Sequence, residues 1–171
     1  MKGFGEQYKS KKEFKKKINL SNAQIINQAI QLHLNGNIPE ATRIYQQLIN
    51  HGCSDHRVFS NYGSILYNSD KLKEAEIFTR KAIKISPTFA EAHLNLGSIM
   101  RKSGKLKEAE IFTRNAMEIK PDYIEGYLNL RSILIDLGKL KEARICSEKI
   151  MCLRPWSIIG SYSLNFEIQL D

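Results

Sequence analysis

Between residues 22 and 157 the apolar side chains fall three and four apart, in runs separated by short polar stretches that hold Gly, Asp or Pro. This spacing predicts amphipathic helices rather than strands. The runs come in pairs, and the pairs repeat. The ten residues Lys71–Arg80 read KLKEAEIFTR, and the same ten letters recur at Lys105–Arg114, with a shortened form at Lys139–Arg144. Each start lies 34 residues after the last, which sets out four gapless units: 22–55, 56–89, 90–123 and 124–157. With positions numbered 1–34 inside each unit, positions 4, 7, 8 and 11 share one helical stripe and positions 20, 23, 27 and 28 another. Each unit therefore reads as two helices, A and B, joined by a turn.

The residue types at fixed positions explain how the pair packs. Position 20 is Ala in every unit (Ala41, Ala75, Ala109, Ala143), and position 8 is Ala29, Gly63, Gly97 and then Arg131. Small groups there let two helix backbones approach. Arg131 breaks this rule, so unit four is expected to be the least regular and the first to fray. Large apolar groups occupy position 11 (Leu32, Leu66, Met100, Leu134) and position 4 (Ile25, Phe59, Tyr127, with His93 the exception). Position 15, between the helices, is Gly36, Asp70, Gly104 and Gly138. A left-handed residue at a helix end is commonly Gly, so Asp70 is expected to cost about 1 kcal/mol there. Pro39 suits the first turn of a helix B, while Pro87, Pro121 and Pro155 at position 32 end theirs. Ser21 with Gln24 forms a candidate capping box for the first helix.

A 34-residue helix–turn–helix unit with these residues in phase resembles the tetratricopeptide repeat family. The resemblance implies an all-α, right-handed solenoid in which the A helices line a concave inner wall and position 6 faces the groove. Position 6 is Asn in all four units: Asn27, Asn61, Asn95 and Asn129. A side-chain amide carries both a donor and an acceptor, so a row of them can pair with the backbone of an extended peptide whatever its side chains. This is similar to the asparagine ladder in the repeats of O-GlcNAc transferases, which holds extended peptide substrates. The alternative is that these amides contact only water. Groove positions 2, 9, 12 and 13 add Arg57, Ser64, Tyr67, Asn68, Ser98, Arg101, Lys102 and Ser132, with Glu91, Glu125 and Asp136 giving a mixed sign. Position 5 is Ile26, Ser60, Leu94 and Leu128, which does not support the Lys/Arg carboxylate clamp of the chaperone-binding members.

Composition changes this picture only at the ends. The 171 residues carry a net charge of +8, yet residues 1–20 alone hold seven Lys against two Glu. Residues 1–21 thus read as a basic, disordered arm, with weak attraction to nucleic acid or anionic lipid as its sharper reading. No run approaches the roughly 18 apolar residues of a membrane span, and no secretory signal opens the chain. A soluble, cytoplasmic protein is expected. Three cysteines (Cys53, Cys146, Cys152) without a CxxC pair fit free thiols.

No nucleophile–base pair, phosphate-cradling loop or zinc spacing can be assembled, so neither catalysis, a cofactor nor a metal is expected. The cluster from His51 to His56 reads as a polar turn, and His93 as a packed imidazole. Residues 158–171 read as a C-terminal cap or truncated fifth helix, although Leu164, Phe166, Ile168 and Leu170 alternate as a strand would. The functional expectation is a non-catalytic scaffold binding an extended peptide of another protein. Two alternatives stand beside it: a substrate-recruiting module of a glycosyltransferase-like system, and a surface binder acting through the basic arm.

Overall fold

The computed structural model describes residues 22–153. The basic arm, Ser21, Pro155 and the segment 158–171 lie outside the described residues. Within them the chain forms eight helices and no strand: α1 (22–34), α2 (Ile38–Asn50), α3 (His56–Asn68), α4 (Leu72–Ile85), α5 (Ala90–Lys102), α6 (Leu106–Ile119), α7 (Ile124–Asp136) and α8 (Leu140–Leu153). Odd-numbered helices are the A helices and even-numbered ones the B helices. From α3 onward each A packs on its own B, each B from α2 onward packs on the next A, and α3, α5 and α7 touch in succession.

The A-to-B turn is built the same way four times. Gly36, Asp70, Gly104 and Gly138 all have φ between 61° and 79°. That left-handed residue aims the next N–H back at helix A. Asn37 N–H bonds the Leu32 carbonyl at 2.9 Å, Lys71 that of Leu66 at 2.9 Å, Lys105 that of Met100 at 2.9 Å, and Lys139 that of Leu134 at 2.8 Å. These are the six-to-one bonds of a Schellman ending. Asp70 accepts the strained geometry, and its exposed carboxylate gains an ion pair 2.8 Å long to Lys102.

In units two and three the glycine at position 8 lets A and B approach closely. A Cβ placed on Gly63 would lie 2.5 Å from Thr79 Oγ1, and one placed on Gly97 would lie 2.3 Å from Thr113 Oγ1. Ala75 and Ala109 are fully buried on the same seam. The inward row of helix B thus includes position 24 (Tyr45, Thr79, Thr113), which the sequence pattern of 20, 23, 27 and 28 does not single out. Ile25 at position 4 of unit one is 37% exposed, whereas Phe59 at the same position of unit two is fully buried. Phe59 clusters with Ile49 of the preceding helix B as well as with Phe78 and Ala82 of its own, and Ile25 has no preceding helix B among the described residues.

Unit four departs from this pattern. Arg131 is half-buried, and α7 and α8 share a smaller contact than α3 with α4 or α5 with α6. Position 23 is Phe78 and Phe112 in the middle units but Cys146 in unit four. The shorter side chain borders a crevice of about 200 Å³ lined by Arg114, Met117, Tyr127, Leu130, Leu134, Glu142 and Ile145. In unit three the equivalent ring of Phe112 sits under the Arg80 guanidinium at 5.3 Å. Cys146→Phe is expected to fill the crevice under Arg114 and to stabilise the array by about 1 kcal/mol. A rise in the thermal midpoint would register it, and a fall would mean that the crevice cannot admit a ring.

On the outer face the B helices are joined by a repeating set of ion pairs. Glu76 holds Arg80 at 2.8 Å and Lys105 at 3.6 Å, and Arg80 reaches Glu108 at 3.7 Å. One unit on, Glu110 holds Arg114 at 2.8 Å and Lys139 at 2.9 Å, and Arg114 reaches Glu142 at 2.8 Å. The letter-for-letter repeat produces this: positions 21 and 25 of one unit meet positions 16 and 19 of the next. In unit four the signs are exchanged, with Arg144 at position 21 and Glu148 at position 25, paired to each other at 2.9 Å.

Candidate functional site

The A helices α1, α3, α5 and α7 carry the four asparagines at the same helical position, and none of the four is buried. Their hydrogen bonds run between units. Asn95 Nδ2 donates to Ser60 Oγ at 3.1 Å. Asn129 Nδ2 donates to Ser98 Oγ at 3.0 Å and to Thr113 Oγ1 at 3.4 Å. In both cases the amide N–H braces its helix against the preceding unit, and no partner among the described residues occupies the amide oxygen. Asn27 is exposed, and its oxygen accepts a long 3.4 Å bond from Arg57. Asn61 adjoins the fully buried Tyr45. Burial pushes the Tyr45 phenol up to about 12, and Asn61 pulls it partly back, although no hydrogen bond of good geometry reaches that hydroxyl among the described residues.

Arg57 is fixed at the start of α3. Asp55 caps the helix by accepting from the Arg57 backbone N–H at 2.9 Å, and its carboxylate also holds the guanidinium at 2.8 and 3.0 Å. Those bonds raise the Arg57 pKa. Burial alone would raise that of Asp55, but the Arg57 bonds win and hold it below its ordinary value.

The richest part of the face lies where α3, α5 and α7 meet. A cavity of about 370 Å³ is lined by Tyr67, Ser98, Arg101, Lys102, Asn129 and Asp136. Five of these are among the twelve groove residues expected from the sequence. Arg101 Nε donates to Asp136 Oδ2 at 2.6 Å, and Lys102 sits 5.0 Å over the Tyr67 ring while paired to Asp70. That hydrogen bond to Asp70 raises the Lys102 pKa. Both cations are about 40% exposed, so their pairs are open to exchange with a ligand. Ser98 and Ser132 turn their hydroxyls onto the Leu94 and Leu128 carbonyls, at 3.2 and 3.1 Å. Ser64 is half-buried, and Asn68 is exposed at the end of α3.

Two participants are not visible in the sequence as site residues. Ser60, at 2% exposure, is the anchor for Asn95, and Asp70 contributes its carboxylate beside its role in the turn. Only Asp70's turn position hinted at its place beside the groove.

His93 is buried and its Nε2–H donates to the Pro87 carbonyl at 2.8 Å. His51 bonds the Gln47 carbonyl at 2.7 Å. Among the described residues no three His, Cys, Asp or Glu side chains come together as a metal site would need.

Residues 56–89 and residues 78–111 each match a tetratricopeptide repeat family model. The second match begins in a helix B and ends in the next one, as expected when a uniform stack can be divided at either helix. The described helices have the fold of a tetratricopeptide-repeat solenoid, and residues 56–111 match repeats of that family. It is similar to a MamA fragment from Desulfovibrio magneticus, with a TM-score of 0.69 and 17% identity over 78% of this chain and 76% of that one. It is also similar to YrrB, described as a TPR protein with an unusual peptide-binding site: TM-score 0.66, 17% identity, 77% of this chain and 68% of that one. The O-GlcNAc transferase of Thermobaculum terrenum matches with a TM-score of 0.65 and 19% identity, over 68% of this chain but 22% of the transferase. At such identities the likeness concerns the fold. No curated protein sequence matches the chain significantly.

Proposed function

We propose that the chain is a non-catalytic adaptor that holds an extended peptide of another protein along its A-helix face. The observation that carries this is the row of position-6 amides. Asn95 and Asn129 each donate to a serine hydroxyl of the preceding unit, their oxygens have no partner among the described residues, and Asn129 lines the cavity. A row of acceptors fixed by the fold suits the N–H groups of an extended backbone. Arg101, Lys102 and Tyr67 supply side-chain selection next to it. Because the helices are held before binding, little ordering is charged against affinity. The peptide-binding site of YrrB supports the reading at the level of the fold.

A recruiting role for a glycosyltransferase-like system draws on the likeness to the repeat part of the transferase. It uses the same face and differs only in what the captured protein meets next. No helix among the described residues is long and apolar enough to cross a membrane.

The test is retention of partner proteins by Asn61→Ala/Asn95→Ala/Asn129→Ala, beside a control carrying Ser60→Ala/Ser98→Ala. The control removes the braces and keeps the amides. The triple variant is expected to lose binding by at least about tenfold, the worth of one hydrogen bond to a preformed site, with helicity retained. The serine control, which keeps the amides but frees them to turn, is expected to bind more weakly than the wild type and more tightly than the triple variant. Equal capture by all three proteins would reject the ladder.

A further inference from the structure

On the outer face, position 22 of units two, three and four is isoleucine, and all three side chains are open to solvent: Ile77 at 64%, Ile111 at 57% and Ile145 at 63%. They lie opposite the buried positions 20 and 27 of their helices. One turn before each isoleucine stands an exposed lysine: Lys73, Lys107 and Lys141. One turn after, at position 26, come Lys81, Asn115 and Lys149. Each of the three helices thus presents Lys–Ile–Lys or Lys–Ile–Asn in a line along its axis.

The charges around this row are not equivalent. The nearby arginines at position 25 of units two and three are spent on glutamates, as described above. Lys73, Lys107, Lys141 and Lys149 have no ion pair among the described residues, and Lys81 lies 4.3 Å over the Phe59 ring. An apolar row remains, flanked on one side by three unpaired lysines (Lys73, Lys107, Lys141) and on the other by Lys81 over its ring, the neutral Asn115 and the unpaired Lys149. It starts at unit two, because position 22 of unit one is Arg43, already paired with Glu40 at 2.6 Å.

We infer that this row is a second docking surface, separate from the A-helix face, for an acidic amphipathic helix of another protein. Charge selects an acidic partner, since the free cations need carboxylates and the apolar row needs something to cover it. The backbone selects a helix. This face offers isoleucine and lysine side chains, and the B helices have spent their own backbone groups. An extended strand laid on it would leave its N–H and C=O groups against apolar surface, whereas a helix satisfies them internally. Geometry sets the repeat. Directly packed helices are spaced by roughly 10 Å, about seven residues of an α-helix, and α4, α6 and α8 pack on the intervening A helices rather than on one another, so the step between isoleucines is at least that long. A helix crossing α4, α6 and α8 would place an apolar residue on each isoleucine at intervals of about seven residues or slightly more, with Asp or Glu beside it.

The probe is a synthetic helix of about 21 residues, long enough to cross three units, with Leu at every seventh position and Glu flanking it. Its shuffled isomer and a version with Lys in place of Glu are the controls. Fluorescence anisotropy with the full chain at about 50 and 300 mM salt reads both affinity and screening. The patterned acidic helix is expected to bind at least about tenfold more tightly than either control. Ile77→Ser/Ile111→Ser/Ile145→Ser is expected to abolish that preference with unchanged helicity, since these side chains lie outside the core. Lys73→Glu/Lys107→Glu/Lys141→Glu is expected to weaken binding and remove most of its salt dependence. The position-6 asparagine variant is expected to bind this helix normally, which keeps the two faces distinguishable.

Equal binding of the shuffled peptide, or indifference to the isoleucine substitutions, would overturn the inference. So would capture of the chain by phosphatidylserine vesicles, or self-association in sedimentation, if either disappears with the same isoleucine substitutions. Those results would assign the row to a membrane or to a second copy.

Discussion

Gly97→Ala lowers the stability of the array by about 2 kcal/mol, even though alanine is the better helix former by about 1 kcal/mol. The new Cβ would lie 2.3 Å from Thr113 Oγ1 and 3.3 Å from the Ala109 carbonyl. Thr113 is fully buried and β-branched, so it has no easy rotation away. The helices must move apart, and every contact along the α5–α6 seam loosens with them. Urea unfolding followed by circular dichroism measures the loss. The double variant Gly97→Ala/Thr113→Ala is expected to recover most of it, since the clash goes and the gain in helix propensity stays. Gly126→Ala is the control: its Cβ would meet Met117 Cγ at 2.8 Å, in a flexible side chain that can turn aside. A Gly97→Ala protein as stable as the wild type would show that this seam is not closely packed.

Glu110→Lys has the second large effect, a loss on the order of 2 kcal/mol. Glu110 keeps only 14% of its side-chain surface exposed and serves both Arg114 and Lys139. Reversal places a third cation among them on the seam between units three and four. Its acid dependence follows from the same geometry. Burial raises the Glu110 pKa, but the bonds from Lys139 and Arg114 outweigh it and leave the carboxyl below its ordinary 4.5. A carboxyl with a depressed native pKa stabilises the fold fully above its unfolded value, and that stabilisation is lost as pH falls through the native value. Stability of the wild type should therefore fall with acid below about pH 4.5, and Glu110→Gln should flatten that decline while starting from a lower plateau. An unchanged acid profile in the Gln variant would place the acid sensitivity at other carboxylates, Asp55 among them.

The period, the helix pairs and the four turns were legible in the sequence because each depends on neighbours close along the chain. A left-handed φ at Gly36 or Asp70 is a local requirement, and a local residue type reveals it. Position 24 was hidden for the opposite reason. Thr79 and Thr113 look like surface residues until the glycine that faces each of them across the pair is considered. The asparagines show the same division. Their recurrence was plain, but the choice of Ser60 by Asn95 and of Ser98 by Asn129 depends on how far one unit is turned relative to the next. Ile25 differs from Phe59 in having no preceding helix B among the described residues, which its own helix does not reveal.

The exchanged signs of Arg144 and Glu148 bear on how such an array can be lengthened. A duplicate of unit three inserted between units three and four would find Glu and Arg waiting for its Lys and Glu on one side, and would offer the same on the other. The same duplicate grafted behind α8 would set Lys toward Arg144 and Glu toward Glu148. By charge alone, the described array thus accepts a further unit between its third and fourth repeats and disfavours the same unit set directly behind α8, as a zipper does where one tooth is cut to the opposite shape.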